Sequence, residues 1–182
     1  MLFNANEFIL LFLPVVLLVF HAGRHFSVTL SFNFLTLASL FFYAYGEPRF
    51  ILILLTSVTL NYFLGCYLME TKNALALKLG IIANIFAIGY FKYTDFFIDS
   101  INSVTDAGIP LAHIALPLGI SFYTFQKIAF LVDAYRSKIR KPTFVEYLLF
   151  VSFFPQLIAG PIVHFNQIEE QLRRRDAVPL RL

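Results

Sequence analysis

The chain has 182 residues, 59% of them hydrophobic and only 14% charged, and 23 are Phe. A soluble domain carries about a quarter charged residues, so this composition excludes an ordinary water-soluble fold and indicates a polytopic membrane protein. The formal charge of +3 does not point to nucleic acid, because Lys and Arg fall in short loops between apolar runs, and the single cysteine, Cys66, rules out an intrachain disulfide.

The first apolar run, Phe8 to Phe20, contains Pro14. The only charge before it is Glu7, so the positive flank of a signal peptide is missing. It reads as an uncleaved first helix extended back through residues 4–6. The second run, Phe26 to Gly46, has 21 residues without a charge, and the third, Phe50 to Met69, has 20. Each is long enough to cross the hydrocarbon core, which takes about 20 residues. The fourth, Asn73 to Phe91, carries Lys78 near its start, where a lysine snorkels to the interface. A polar connection, Thr94 to Gly108, holds Asp95, Asp99, Asn102, Ser103 and Asp106. The fifth run, Ala107 to Gln126, contains Pro110 and Pro117; the sixth, Tyr147 to Phe165, contains Pro155 and Gly160-Pro161. Tyr43, Tyr45, Tyr67, Tyr90, Tyr93 and Tyr147 lie near span ends, as interfacial anchoring requires. In the last stretch, a basic tail over 166–182, Asn166 and Glu169 have the spacing of a variant capping box.

Loop charges set the orientation. Arg24, then Lys72 and Lys78, then Lys127, Arg136, Lys138, Arg140 and Lys141 fall in alternate loops, which the positive-inside bias places in the cytoplasm, with the amino terminus outside. A full sixth crossing would carry Arg173, Arg174, Arg175 and Arg181 to the other side. The breaks at Pro155 and Gly160-Pro161 predict instead that Tyr147 to Phe165 dips in and returns. The expected fold is an all-α polytopic membrane protein with about five transmembrane helices and a Pro/Gly-broken, re-entrant segment.

Two segments stand out for function, LPLGISFYTFQKIAFLVDAYR at 116–136 and FFPQLIAGPIVH at 153–164. Interrupted backbone inside a membrane is tolerated where it is buried in protein or lines a cavity. On a helix, Tyr123 and Gln126 share one face and Ser121 and Thr124 another. Two readings compete for this set: the lining of a polar tunnel, or interhelical hydrogen bonds around a kink at Pro117. Gln156, Gly160, Pro161 and His164 complete the candidate residues. A neutral imidazole at His164 has the chemistry of a general base, but a base needs a pocket and an orienting partner. An interfacial or hydrogen-bonding role is the simpler reading for His164, and more so for His113. Asn61 and Asn84, near the middles of spans three and four, read as an interhelical amide contact. Lys127 reads as an interfacial anchor, and Asp133 and Arg136 as a surface pair. No catalytic pair, metal motif, phosphate loop or nucleophile elbow is present.

The two segments, together with MLFNANEFILLFLPVVLLVF at the start and GYFKYTDFFIDSIN at 89–102, resemble the membrane-bound O-acyltransferase family, in its bacterial alginate O-acetylation branch. The resemblance implies transfer of acyl, in this branch acetyl, groups across the inner membrane to hydroxyls of an extracytoplasmic polysaccharide such as alginate. It implies an acyl thioester donor, acetyl-CoA or an acyl carrier, with no bound cofactor. It also implies membrane lipid, the polysaccharide and a periplasmic acetyltransferase as partners. The family's invariant histidine lies in a tryptophan-rich context, and this chain has no Trp. Residues 1–182 are therefore expected to correspond to the amino-terminal part of the membrane domain and to be inactive alone. The alternatives are a transporter- or channel-like subunit, or a non-catalytic scaffold for a periplasmic acetyltransferase.

Overall fold

The computed structural model describes residues 5–46, 48–105, 107–157, 160 and 163–173, the last four by backbone alone. Among these residues the structure is helical, without strands. Helix α1 (Leu13–Phe26) continues a π-helical turn at Phe8–Phe12. Pro14 therefore lies within a continuous helix, Phe8–Phe26, and the π-helical turn just before it is the kind of local adjustment that accommodates a missing N–H. Helix α2 (Val28–Gly46) is apolar but contains Ser31, Thr36 and Ser39. Their hydroxyls donate to the carbonyls four residues back, which satisfies them where they are buried, and Ser39 Oγ also accepts from the N–H of Phe154.

Helix α3 (Ile51–Thr71) ends on Lys72 in the left-handed conformation, at φ 52°. Asn73 then caps α4 (Ala74–Ile88) by accepting from the N–H groups of Leu75 and Ala76. A π-helical turn, Gly89–Tyr93, joins α4 to α5 (Thr94–Thr105), giving an uninterrupted helical rod of 32 residues. The polar connection expected from Thr94 onward is thus mostly helix. Four stretches are long and apolar enough to cross a membrane: Phe8–Phe26, Val28–Gly46, Pro48–Thr71 and Ala74–Thr105.

The apolar run Ala107 to Gln126 is not one helix, and the helix it contributes to starts later than expected. Residues 107–117 are not helical; they turn back along α5. Asn102 holds Ile109 by both its N–H and its carbonyl, and Asp95 Oδ1 accepts from the N–H groups of Ala112 and His113. Pro110 and Pro117 prevent this stretch from competing as helix. Helix α6 (Ile120–Tyr135) begins only after Gly119 and runs through the centre of the fold. An added Cβ at Gly65 of α3 would lie 2.2 Å from the Phe130 ring, and one at Gly80 of α4 would lie 2.4 Å from Leu64. Small residues at these two positions let α3, α4 and α6 pack closely.

The last segment forms α7 (Phe144–Ser152), α8 (Phe154–Leu157) and α9 (Phe165–Arg173). Thr143 and Glu146 make a reciprocal capping box at the start of α7. Tyr147 stacks on Phe130, ring centroids 4.2 Å apart, near the far end of α6. Leu157 lies against Gly119 at the near end, and Phe165 is again beside Phe130 at 5.8 Å. The segment therefore descends along α6 and returns. Gly119 to Phe130 is eleven helical steps, about 16 Å, roughly half the hydrocarbon thickness. Arg140, before α7, pairs with Glu146 and with Glu169 of α9, which brings the two ends of the hairpin together.

Glu169 thus serves this pairing rather than a capping box with Asn166. At the start of α9 it is Gln167 that accepts from the backbone N–H of His164. Tyr43 and Tyr147 are fully buried, not interfacial, whereas Tyr45, Tyr67, Tyr90 and Tyr93 are exposed. Arg174 and Arg175, and most of the basic tail, lie outside the described residues.

Candidate functional site

Helix α6 places four residues on one face at helical spacing: Ile120, Tyr123, Thr124 and Lys127. All four line a cavity of ≈ 460 Å³ walled by α3 and α4. Thr56 and Ser57 of α3, and Gly80, Ala83 and Ala87 of α4, leave this space open because their side chains are short. Leu52, Leu60 and Phe91 supply apolar wall.

Lys127 is the surprise of the site. Its side chain is buried, donates to Ser57 Oγ, and holds its ammonium 4.7 Å from the Tyr123 ring centroid. The interfacial anchor expected from the sequence is overturned, because α3 and α4 flank α6 at this level and shut the lysine away from an interface. Asn61 and Asn84 meet as expected. Asn84 Nδ2 donates to Asn61 Oδ1 at 2.7 Å, and each amide also donates to a carbonyl of its own helix. These amides are saturated by one another and by backbone, so they shape the cavity.

The sequence candidates do not converge on one point. Tyr123 lines the cavity, its phenol neighbouring that of Tyr43. Gln126 is buried elsewhere on α6, with Oε1 unbonded among the described residues, and Ser121 is half-buried away from the cavity. Gln156 lines a smaller space of ≈ 190 Å³ with Phe32, Leu149, Phe150 and Phe153. Gly160 donates its N–H to the Gln156 carbonyl. Pro161 lies outside the described residues.

His164 has the orienting partner that the sequence left unseen. Its Nδ1 lies 3.1 Å from Asp133 Oδ2; Asp133 is buried while the imidazole is half-exposed. Asp133 therefore faces the hairpin rather than forming a surface pair with Arg136. At the same end of the fold, Arg140 makes two hydrogen bonds to Glu146, at 2.8 and 3.2 Å. Burial pushes the Glu146 carboxyl up, but the bonds from Arg140 and Thr143 outweigh it and hold it below its ordinary value. Lys141 pairs with Glu70 at 2.9 Å, which raises the ammonium's affinity for its proton. Two cations of the basic loop thus tie α3, α7 and α9 together.

Sequence reasoning missed Ser57, Thr124 and Lys127 as a set. A signal was present: Lys127 stands alone between IxxYT and IAFLV, three and four residues after Thr124 and Tyr123, once the helix is started at Ile120.

No family model and no solved structure matches the chain. Among curated proteins, it is 39% identical over 97% of its length to a peptidoglycan O-acetyltransferase of Helicobacter pylori. It is 37% identical over 96% of its length to a protein of Pseudomonas aeruginosa named "Probable alginate O-acetylase AlgI", and equally so to its namesake in Pseudomonas putida. It spans 39%, 35% and 38% of those three proteins' own lengths. Identity at this level along nearly the whole chain, on an all-helical frame with several membrane-length helices, means that the chain belongs to the membrane-bound O-acyltransferase family.

Proposed function

We propose that the chain is part of a membrane O-acetyltransferase that passes acetyl groups from a thioester on the cytoplasmic side to hydroxyls of an extracytoplasmic polysaccharide. The observation that carries this reading is the kinship with O-acetyltransferases of peptidoglycan and alginate along the chain. The re-entrant hairpin against α6 supports it physically. Half-crossing segments thin the barrier between two aqueous faces, and their broken backbone is held by protein rather than lipid.

Transfer of an acyl group requires a hydroxyl, a thioester and a base held within hydrogen-bond reach of one another. In this reading the described residues supply wall and frame. Gly119 and Leu157 fix the depth of the hairpin, and Asp133 with His164 clamps its return. The chain sits in the bacterial inner membrane with its amino terminus outside, its basic loops facing the donor, acetyl-CoA or an acyl carrier. A periplasmic acetyltransferase completes delivery to the polymer.

The test is genetic and chemical. Deletion of the native gene should lower base-releasable acetate in the surface or wall polysaccharide, and the gene supplied in trans should restore it. Gly119→Val at the native locus should reproduce the loss while the protein remains in the membrane fraction. Unchanged acetate after deletion would sink the reading.

A further inference from the structure

A hydroxyl inside an apolar helix normally donates to the carbonyl one turn back, and Thr36, Ser39 and Ser152 all do so. Thr124 is different. It is 1% exposed, its Oγ1 has no hydrogen-bond partner among the described residues, and it lines the α3–α4–α6 cavity. One turn on, Lys127 is equally buried and lines the same space. An ammonium has three N–H donors. The described partners of Lys127 are a serine hydroxyl and an aromatic face, both neutral, and no carboxylate pairs with it among the described residues. Burial without a partner disfavours the charged form of a lysine, and an anion that reaches it restores the ammonium and its donors. Thr56 and the mutually bonded Asn61 and Asn84 also face the space; the rest of the wall is mainly apolar, and Leu52 and Leu60 at the rim are 71% and 65% exposed on the outer face of α3. The volume falls within the range of small-ligand sites, about 300–1,000 Å³.

We propose that this cavity binds a single-chain anionic amphiphile drawn from the bilayer, with its carboxylate or phosphate head on Lys127 and Thr124 and its apolar chain between α3 and α4. A sugar would leave its hydroxyls against Leu52, Leu60 and Phe91. A cation would meet the lysine. An acidic head with an apolar tail satisfies both the donors and the walls, and the exposed rim gives it a route from the membrane. The site does not depend on the acetyltransferase reading.

The experiment uses the purified chain in zwitterionic nanodiscs, with parinaric acid as a fluorescent probe, its methyl ester as the neutral control, and dodecyl phosphate and inorganic phosphate as competitors. The acid should bind about 10-fold or more tightly than the ester, as expected for a hydrogen bond to a charged group. Lys127→Met should abolish that preference. Thr124→Val, which keeps shape and charge, should weaken the acid about 3- to 10-fold; it tests the site even where Lys127→Met fails to fold. Displacement by dodecyl phosphate shows that a phosphate head also fits, and acid-selective binding that dodecyl phosphate does not displace shows a carboxylate site. Equal affinity for acid and ester, unchanged affinity in both variants, or displacement by inorganic phosphate as effective as by dodecyl phosphate would overturn the proposal.

Discussion

Gly119 carries two constraints that Ala cannot meet together. Its φ is +69°, and a Cβ built on it would lie 2.5 Å from the carbonyl oxygen of Leu157. The left-handed conformation costs an L-residue about 1–2 kcal/mol. The clash adds to this, because the neighbour is backbone. The hairpin would have to retreat by nearly 1 Å to restore ordinary contact, displacing the buried Phe154 and Leu157 side chains. Overpacking of this kind costs about 1–3 kcal/mol, so Gly119→Ala should destabilise by roughly 2–5 kcal/mol. Gly119→Asn separates the terms: Asn tolerates the left-handed region but keeps the clash, so it should fall between wild type and Ala. Gly89→Ala is the control. Its surroundings are open to 4 Å and its φ is −53°, so it should be neutral or stabilising by up to about 1 kcal/mol. Steric-trap unfolding in micelles, or the shift in thermal midpoint, measures all three. A Gly119→Ala protein within about 0.5 kcal/mol of wild type would refute the packing of α8 on α6.

Gly160→Leu should disturb the hairpin more than Leu157→Ile, because a Cβ at 160 would lie 2.9 Å from both Cα and O of Gln156; protease sensitivity of the 150–165 region checks the order. Glu146 has a folded pKa below its ordinary value of 4.5. Its bond to Arg140 therefore stabilises fully above about pH 4.5 and is lost as pH falls through the depressed value. Glu146→Gln should flatten that acid limb, by about 1 kcal/mol after solvent screening of the partly exposed Arg140, and a limb identical to wild type would remove the assigned role. In a Cys66→Ser background, single cysteines at Lys138 and Asn166 should react with an impermeant thiol reagent from one side of the membrane and Asp99→Cys from the other. Lys138 and Asn166 labelling from opposite sides would mean that the sixth segment crosses.

The broad class was legible because hydrocarbon solvation acts on composition alone. Runs of about 20 uncharged residues have few other uses, and the second, third and fourth spans begin close to where the apolar runs do. The Asn61–Asn84 contact was legible for a related reason: two amides at matching depth on consecutive helices have little else to bond. The broken sixth segment announced itself through Pro155 and Gly160. By itself, then, the sequence determined an all-helical membrane protein, its kinship, and a break in its last apolar segment.

Tertiary structure decided what depends on neighbours distant in the chain. Residues 107–117 are as apolar as a span, but side chains of Asp95 and Asn102 capture their backbone, and α6 starts at Ile120 instead. Asp133 looked like half of an i, i+3 surface pair until the hairpin returned His164 to it across 31 residues. Lys127 reads the same in sequence whether it snorkels to an interface or is sealed behind α3 and α4. Its burial is set by which helices pack on α6, through the small residues Gly65 and Gly80, and a local apolar pattern does not encode that choice because an apolar helix offers similar faces to lipid and to protein.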